Sequence, residues 1–305
     1  MNSEKLQGKD VCSVIVTYHP DPGLCNRITH LRDQVGKVVV VDNNSGSADL
    51  RALGQLPLEL GIHLIFNNEN LGIGTALNQG VQWAQRQGYT WVLTLDQDSV
   101  VASDMISTLV SVHGEFPERQ KLAIIGSNYK DPNSDRMFLD LCRNSEPRWR
   151  EVKTVITSGS LLSLAAYSTI GSFREEFFMD CIDLEYCLRA RSRGFKIVLA
   201  CRPLMQHTIG ATSMHRLPWK STGTSNHSPV RRYYMTRNHI ALVREYLRSE
   251  PKWALATLYS RLKSTILMCL FEGNRFRKLS YTAIGVLDGL LSNFHRNVSR
   301  LNTKA

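Results

Sequence analysis

The sequence predicts an α/β fold with a mostly parallel central sheet that helices cover on both faces. Short apolar runs rich in Val and Ile alternate with helix-length segments through most of the chain. These runs are continuously apolar, which is typical of parallel strands buried on both faces. Polar clusters follow the runs, so the carboxyl ends of the strands predict one polar edge of the sheet, where open α/β folds bind their ligands.

The elements follow from apolar spacing and from helix stops. Leu24, Ile28 and Leu31 recur at helical spacing, and Gly88 and Gly194 end two further helices. Strands are predicted at 11–18, 37–41, 63–66, 91–95, 122–126 and 196–200, and helices at about 24–31, 75–87 and 184–193. From residue 231 onward the apolar spacing is helical, which predicts a C-terminal helical extension.

Composition restricts the class of protein. The chain has 305 residues, of which 43% are hydrophobic, and it carries a net charge of +10. Its seven cysteines include no Cys-x-x-Cys pair, which fits reduced thiols in the cytoplasm. The N-terminal residues lack a signal-peptide core, and the longest apolar run, 266–271, is too short to cross a bilayer. We therefore expect a cytoplasmic protein that does not span a membrane.

The C-terminal region holds most of the positive charge. After Pro251 there are nine Lys or Arg residues and two acidic residues. This basic tail with its apolar stripe fits a contact with the inner-membrane surface, packing on the rest of the chain, or a homo-oligomer, and these alternatives stay open. We expect no nucleic-acid partner, because no recognised nucleic-acid motif is present. A dinucleotide oxidoreductase is disfavoured, since no Gly-x-Gly-x-x-Gly follows the first strand.

Asp96 and Asp98 directly follow the strand at 91–95. Two carboxylates at such a position indicate a divalent metal or a phosphorylated ligand held through one. A polar strand exit with a capping role would give the same pattern. His207 follows the strand at 196–200 and could complete a Mg²⁺ or Mn²⁺ site, although a lone His is more often structural.

Three acids surround the start of the helix at 184–193: Asp180, Asp183 and Glu185. Acids near a helix N-terminus are favoured by the helix dipole, which requires no catalytic role. The functional interpretation is a general base that takes a proton from an attacking hydroxyl. No Ser-His-Asp or Cys-His signature argues for covalent catalysis.

An ordered set of motifs resembles a known family. The set comprises Val14-Ile15-Val16-Thr17-Tyr18, Val40-Val41-Asp42-Asn43-Asn44-Ser45, the stretch 68–80, and Asp96-Gln97-Asp98. It is similar to the inverting glycosyltransferase family 2, and within it to bacterial dTDP-L-rhamnosyltransferases, over roughly residues 11–238. The stretch 183–195 resembles the acceptor-side motif of that family. Ile182 replaces its usual Glu and Glu185 its second Asp, which leaves the base between Asp183 and Asp180.

The resemblance implies a GT-A fold in one domain, residues 1–230, with a nucleotide-sugar half at about 11–125 and an acceptor half at about 126–230. Residues 231–305 would be the basic helical extension. The residues implied to bind the nucleotide sugar are Thr17, His19, Asp42, Asn44, Asn70, Gly72, Asn78, Asp96, Gln97 and Arg237. Asp98, Asp96 and His207 would hold the metal, Mg²⁺ or Mn²⁺. Asp183 would be the base, with Asp180 as the alternative and Glu185 beside it.

The implied activity is transfer of L-rhamnose from dTDP-β-L-rhamnose to a hydroxyl of a glycan or lipid-linked saccharide, as in the synthesis of an O-antigen-like surface polysaccharide. A single metal-assisted displacement would invert the anomeric carbon, with a carboxylate as base. The enzyme would work in the cytoplasm or on the cytoplasmic face of the inner membrane. The first alternative is a family 2 transferase for UDP-galactofuranose or a UDP-hexosamine. A more distant alternative is a non-catalytic nucleic-acid-binding α/β protein.

Overall fold

The structure, a computed structural model, describes residues 6–46, 61–131, 137, 148–207, 213–217, 220–296 and 298. The chain divides into two compact units. The first comprises Met1–Glu175 and Ile182–Thr208, and the second comprises Glu176–Cys181 and Ile209–Ala305. This division lies closer to the N-terminus than the boundary at residue 230 that the sequence predicts, and it assigns a short internal segment to the C-terminal unit.

The first unit contains the central sheet. Its strands are β1 (Val11–Thr17), β2 (Lys37–Asp42), β3 (His63–Phe66), β4 (Trp91–Asp96), β5 (Val100–Val101), β6 (Leu122–Lys130), β7 (Trp149–Glu151), β8 (Ser160–Ser163) and β9 (Lys196–Gln206). Their order is β3-β2-β1-β4-β8-β6-β9-β5, and β7 also pairs with β9. Among these described strands, β3, β2, β1, β4, β6 and β9 run in one direction, and β8 is inserted antiparallel between β4 and β6. The mostly parallel α/β sheet is therefore confirmed.

Helices cover the sheet of the first unit. They are α1 (Leu24–Arg32), α2 (Ile73–Arg86), α3 (Met105–Glu115), α4 (Leu164–Ile170) and α5 (Ile182–Ser192). The strands read as continuous apolar runs because they are buried on both faces; Val38, Val39, Val40 and Val41 are all at most 2% exposed. Helix α2 lies so close to β1 that a Cβ on Gly80 would be 2.3 Å from Cγ1 of Val14. Only glycine allows this approach.

The second unit is mainly helical. It contains the hairpin of β10 (Ser213–Leu217) and β11 (Lys220–Thr224), followed by α6 (Pro229–Tyr246), α7 (Pro251–Phe271) and α8 (Arg275–Leu291). Helices α6 and α8 pack closely, because a Cβ on Gly285 or Gly289 would lie 2.7 or 2.6 Å from the carbonyl oxygens of Tyr233 and Arg237. The predicted C-terminal helices are therefore present, with α6 starting at Pro229 under a Ser228 cap.

Helix α7 differs from the expectation that no segment could cross a bilayer. An 18-residue window of this 21-residue helix has a mean hydropathy of 1.2, which makes the helix long and apolar enough to cross a bilayer by length and composition alone. No uninterrupted apolar run of this length is present in the sequence, because Arg261 and Lys263 interrupt this helix. Several of its large apolar side chains are exposed: Leu255, Leu258, Tyr259, Leu262, Ile266 and Leu270.

Among the described residues, Cys12, Cys25, Cys187 and Cys269 are free thiols, and Sγ of Cys181 lies 3.1 Å from Nδ1 of His239. Cys201 is disulfide-bonded, which the expectation of reduced thiols did not include.

Candidate active site

Asp96, Asp98 and His207 meet at one edge of the sheet. β4 ends at Asp96 and β9 ends just before His207, and both strands run in the same direction, so their carboxyl ends lie on the same side. Nε2 of His207 is 4.0 Å from Oδ2 of Asp96, and Nδ1 is 4.0 Å from Oδ1 of Asp98. One ligand atom from each residue lies within 4.8 Å of the other two.

This donor set fits a divalent cation. Ligands bound to one ion at about 2.1 Å are about 3.0 to 4.2 Å apart, so these three ligand atoms, which lie within 4.8 Å of one another, would need to approach by about an ångström to share an ion. Two carboxylates with one imidazole suit Mn²⁺ well and Mg²⁺ acceptably. Side chains of Asp96 and Asp98 are 43% and 54% exposed, which leaves coordination positions open to a ligand.

The hydroxyl groups of two serines form hydrogen bonds with each other, with His207 and with the backbone of Asp96. Oγ of Ser99 lies 3.2 Å from Nδ1 of His207 and 2.7 Å from Oγ of Ser158. The Ser158 hydroxyl accepts a hydrogen bond from the amide of Asp96 at 3.1 Å. Sequence reasoning did not select Ser99 or Ser158, although Ser99 directly follows the acidic pair. Such outer partners fix the orientation of metal ligands.

Tyr129 also packs against His207. Its ring meets the imidazole edge-on, with the centroids 5.6 Å apart, and the backbone amide of His207 donates to the Lys130 carbonyl at 3.2 Å. The pairing of β6 with β9 shifts register on both sides of Asn128, directly before Tyr129. Bulges of this kind commonly redirect a side chain near an active site.

The ends of β1 and β2 form a second polar group. Thr17 and Asp42 are register partners and fully buried, and the Thr17 hydroxyl donates to Oδ1 of Asp42 at 2.9 Å. The amide of Ser45 donates to Oδ2 at 2.9 Å, and its hydroxyl also bonds to this carboxylate. The amide of His19 in turn donates to the Ser45 hydroxyl at 2.9 Å. Asp42 therefore fixes the two strand exits to each other.

The exposed residues of this group adopt the left-handed conformation. His19 has φ 49° and Asn44 has φ 71°, and both side chains are exposed beside the buried Thr17–Asp42 pair. Asn and His tolerate this conformation better than most residues. Tyr18, exposed by 48%, stands beside His19 with the ring centroids 4.4 Å apart. It offers an aromatic face that sequence reasoning did not assign.

Asparagine side chains connect this group to the start of α2. Nδ2 of Asn43 donates to Oδ1 of Asn70 at 3.0 Å, and the Gly72 amide donates to the same oxygen at 3.0 Å. Oδ1 of Asn43 accepts from the Leu71 amide at 3.1 Å. Gly72 has φ 86° and is the residue before α2, a conformation that favours glycine.

Gln97 is tied to the end of β1. Its side chain accepts from the Tyr18 amide at 2.8 Å and donates to the Tyr18 carbonyl at 3.2 Å. Its own carbonyl accepts from Nε of Arg27 at 2.7 Å. Gln97 thus holds the loop between the two predicted metal ligands against the first strand, with its side-chain amide occupied by backbone.

Asn78 requires a correction. It is 1% exposed. Nδ2 donates to the Phe173 carbonyl and to Glu175, both within 2.9 Å. Oδ1 accepts from the Phe173 amide and the Tyr167 hydroxyl, also within 2.9 Å, so the whole side-chain amide is occupied. The sequence expectation that Asn78 contacts the nucleotide sugar does not fit this burial. Its contacts attach α2 to residues 167–175.

Asp183 is the half-buried carboxylate of the first unit at the start of α5. Its Oδ1 accepts from the Leu184 amide at 2.7 Å, and it lines a cavity of about 20 Å³ together with Thr94, Val155 and Tyr186. Burial, together with the charges of Asp183 and Asp131, raises the pKa of Tyr129 to about 12. The carboxylate of Asp183 therefore acts electrostatically on the tyrosine that packs against His207.

Glu185 requires a second correction. It is 2% exposed and forms a two-pronged ion pair with Arg189, with Nε–Oε1 and Nη2–Oε2 both at 2.8 Å. Arg189 also donates to the carbonyls of Ile170 and Ser172. A carboxylate so enclosed is not placed to receive an acceptor proton, so we remove Glu185 from the catalytic set.

Arg237 and Asp180 belong to the second unit. Arg237 is fully buried, lies 4.9 Å over the Tyr234 ring, and donates to the carbonyls of Glu176 and Phe177. The expectation that it contacts the donor is therefore corrected, because its guanidinium is occupied by backbone. Asp180 pairs with Arg231 at 3.1 Å and has φ 59°.

The sequence is similar to those of known glycosyltransferases. Residues 12–158 match the sequence profile described as Glycosyl transferase family 2. The chain is 27% identical over 296 residues to the dTDP-rhamnosyl transferase RfbF of Shigella flexneri, covering 92% of this chain and 95% of that protein.

Solved structures share the fold. A mannosyltransferase of Pyrobaculum calidifontis, PcManGT, in complex with GDP-Man and Mn²⁺ superposes with a TM-score of 0.58 at 14% identity, over 95% of this chain and 90% of that one. TarS of S. aureus superposes with a TM-score of 0.56 at 17% identity. The match covers 84% of this chain but only 43% of the TarS chain.

The protein is a glycosyltransferase with a GT-A fold. More particularly, residues 12–158 match the profile of glycosyltransferase family 2, and the chain is similar to a dTDP-rhamnosyltransferase along nearly its full length.

Proposed function

We propose that this glycosyltransferase moves L-rhamnose from dTDP-β-L-rhamnose to a hydroxyl of a saccharide acceptor, with inversion at the anomeric carbon. The observation that carries the proposal is the convergence of Asp96, Asp98 and His207 at the carboxyl edge of the sheet. The relative RfbF, which matches along 92% of the chain, supports the choice of donor. PcManGT, which shares the fold, was solved with a nucleotide sugar and Mn²⁺.

Asp98 and His207 would hold the divalent metal, with Asp96 as the third ligand or as a contact to the ribose. The metal, when bound, neutralises the negative charge that develops on the departing diphosphate. Ser99 and Ser158 would keep His207 and the Asp96 backbone in place through their hydroxyl groups. The exposure of Asp98 is consistent with a ligand arriving from solvent.

The donor nucleoside would lie over the ends of β1 and β2. Thr17, Asp42 and Asn70 would shape this pocket through their buried hydrogen bonds, while the exposed side chains of His19 and Asn44 would contact the nucleotide. Gly72 and Gln97 would set the backbone around it.

Asp183 would be the general base, with Asp180 as the alternative. The acceptor hydroxyl attacks C1 of rhamnose as its proton passes to the carboxylate, while the bond from C1 to the phosphate oxygen breaks and dTDP leaves. One displacement inverts the anomeric centre and needs no protein nucleophile. Asp183 is half-buried and adjoins a small cavity, which limits competing water.

A donor panel tests the proposal. The protein would be incubated with Mn²⁺ and, in separate reactions, dTDP-β-L-rhamnose, UDP-galactofuranose and UDP-N-acetylglucosamine, and release of the nucleoside diphosphate measured. We expect release of dTDP in wild type and at least a hundredfold loss in Asp98→Asn. Asp33→Asn, which changes an exposed carboxylate away from the site, should match wild type. Faster turnover of either UDP-sugar would assign the donor to that alternative.

The acceptor we propose is lipid-linked, which would bring the enzyme to the cytoplasmic face of the inner membrane. The support is α7, whose exposed Leu255, Leu262 and Leu270 lie on a helix that also carries Lys252 and Lys263. An apolar face with basic flanks suits an anionic lipid surface.

Flotation with liposomes tests this location. Wild type should bind vesicles that contain phosphatidylglycerol and not vesicles of phosphatidylcholine alone, and Leu255→Ser with Leu262→Ser should abolish binding. Met214→Ser, another exposed apolar residue of the second unit, serves as the control. If the double variant changes the sedimentation coefficient and wild type binds no liposome, the face is a homo-oligomer contact instead.

A further inference from the structure

The segment Glu176–Cys181 of the second unit has an unusual backbone. Phe178, Asp180 and Cys181 have φ values of 62°, 59° and 64°, a region that side-chain-bearing residues rarely adopt. The Met179 amide donates to the Phe177 carbonyl at 2.7 Å, which closes a tight turn around Phe178. Three such residues within four positions persist only when their surroundings hold them there.

One side chain supplies most of that restraint. Asn238 on α6 is fully buried, and its Nδ2 lies 3.0, 2.8 and 3.0 Å from the carbonyl oxygens of Phe177, Met179 and Asp180. Its Oδ1 accepts from Nε of Arg237 at 3.0 Å, which fixes the orientation of the amide. The side-chain amide of Asn238 is therefore within hydrogen-bond distance of three carbonyl groups of the turn.

The neighbours of Asn238 hold the same segment. Nη2 of Arg237 donates to the Glu176 carbonyl at 2.7 Å and to the Phe177 carbonyl at 3.2 Å. On the other side, Nδ1 of His239 lies 3.1 Å from Sγ of Cys181. Three consecutive residues of α6 therefore contact the segment from its beginning to its end.

The segment 176–181 also contains a carboxylate that is a candidate for the general base. Its Asp180 carboxylate is oriented by Arg231, with Nη2–Oδ1 at 3.1 Å and Nε–Oδ2 at 3.3 Å. Cys181 is followed in the chain by Ile182, the first residue of α5, and then by Asp183. Both carboxylates considered as the base therefore lie on, or within two residues of, the restrained turn.

We propose that Asn238 is a positioning residue for the acceptor side of the reaction. By holding residues 176–181 in the left-handed turn, it sets the direction of the chain that presents Asp180 and Asp183. This inference rests on the proposed glycosyl transfer. Asn238 lies outside the family 2 profile match, which ends at residue 158.

The first test is Asn238→Asp, which keeps the shape of the side chain and removes the donating amide group. Transfer would be measured from dTDP-β-L-rhamnose to octyl α-L-rhamnopyranoside with Mn²⁺. We expect kcat to fall at least tenfold, while KM for the donor and the stoichiometry of dTDP binding with Mn²⁺ stay within twofold of wild type. Asn274→Asp makes the same change at an exposed position of the same unit and should leave kcat unchanged.

A rescue experiment separates turn geometry from general destabilisation. Glycine adopts φ near +60° without strain, so Cys181→Gly lowers the cost of the turn when Asn238 can no longer hold it. We expect Asn238→Asp with Cys181→Gly to recover at least threefold in kcat over Asn238→Asp alone. No recovery, or wild-type kcat in Asn238→Asp, would overturn the proposal.

Hydrogen exchange keeps the inference separate from the proposed function. If wild type releases no dTDP from any acceptor mixture, the rhamnosyl-transfer proposal fails, and the turn is then judged by exchange of the amides of residues 179–183. Exchange at least tenfold faster in Asn238→Asp than in Asn274→Asp supports the restraint by Asn238. Equal exchange in the two variants overturns it.

Discussion

The ring of Tyr129 packs edge-on against the imidazole of His207, with the centroids 5.6 Å apart and the planes at 86°. Tyr129 is 3% exposed, so this contact is part of the core and limits rotation of His207. The charge of Asp183 contributes to the raised pKa of the same tyrosine. Tyr129 therefore contacts the candidate metal ligand and lies within electrostatic range of the candidate base of the first unit.

We predict that the ring of Tyr129, and not its hydroxyl, supports metal binding. Tyr129→Phe keeps the edge-on contact and should leave Mn²⁺ affinity within twofold of wild type. Tyr129→Leu fills much of the volume but loses the ring edge, so His207 gains freedom and Mn²⁺ affinity should fall about tenfold, at the low end of the range for outer partners of metal ligands. Calorimetric titration with Mn²⁺ measures both, and equal affinities would contradict a role for the ring.

Glu185→Gln should destabilise the first unit without weakening metal binding. The substitution leaves Arg189 without its buried counter-charge, and removal of one partner of such a pair costs about 3 kcal/mol. Urea unfolding measures the loss. Glu151→Gln breaks a pair with Lys196 in which Glu151 is 51% exposed, and it should change the free energy of unfolding by less than about 1 kcal/mol. A large loss of Mn²⁺ affinity in folded Glu185→Gln would return this residue to the site.

Gly289→Ala should loosen the packing of α6 against α8. The added methyl group would lie 2.6 Å from the Arg237 carbonyl oxygen, so the helices must separate, at a cost of about 1–3 kcal/mol. Gly273→Ala is the matched control, because a Cβ there meets no atom within 4 Å. Thermal unfolding followed by circular dichroism should give a lower Tm for the first variant only.

Acid should destabilise the second unit through His239. Burial and, to a smaller extent, the charge of Arg261 lower its pKa from 6.5 to about 4, although the Met235 carbonyl and Asp180 act in the opposite direction. The neutral form is favoured in the folded state, so its contribution is complete above pH 6.5 and is lost as the pH falls toward 4. The shift corresponds to about 3 kcal/mol.

His239→Asn should remove much of this slope between pH 6.5 and 4, as measured by urea unfolding at pH 7.5, 5.5 and 4.5. A further loss at lower pH is expected from Glu272. Burial opposes its ionisation, but Lys278 and Arg232 outweigh burial and lower its pKa. A variant curve parallel to that of wild type would contradict the role of His239.

Local pattern was sufficient for the strands and their polar exits. Continuous Val and Ile runs located β1, β2 and β4 to within one residue, and the parallel arrangement followed from their burial. The gathering of Asp96 and Asp98 with His207 could be predicted because carboxyl ends of parallel strands lie at one edge. The antiparallel insertion of β8 could not, since strand direction depends on connections that no local pattern encodes.

Side-chain roles were harder to predict because they depend on tertiary partners. Glu185 and Arg189 stand four residues apart on α5, a spacing that indicates an ion pair and could have excluded Glu185 from catalysis. Asn78 and Arg237 are polar residues whose partners are distant backbone carbonyls, which the sequence does not reveal. Met105, Leu109 and Val112 show the helical spacing of α3, which the sequence analysis left unassigned.

The insertion of β8 between β4 and β6 also has a consequence for the order of folding. Asp96 and Asp98 follow β4, whereas His207 follows β9, which pairs with β6 on the far side of β8. The three ligands come together only after these long-range pairings form, and such contacts are late and slow in folding. Recovery of Mn²⁺ affinity during refolding should therefore lag behind recovery of helical signal, and this makes the ion a reporter of sheet completion.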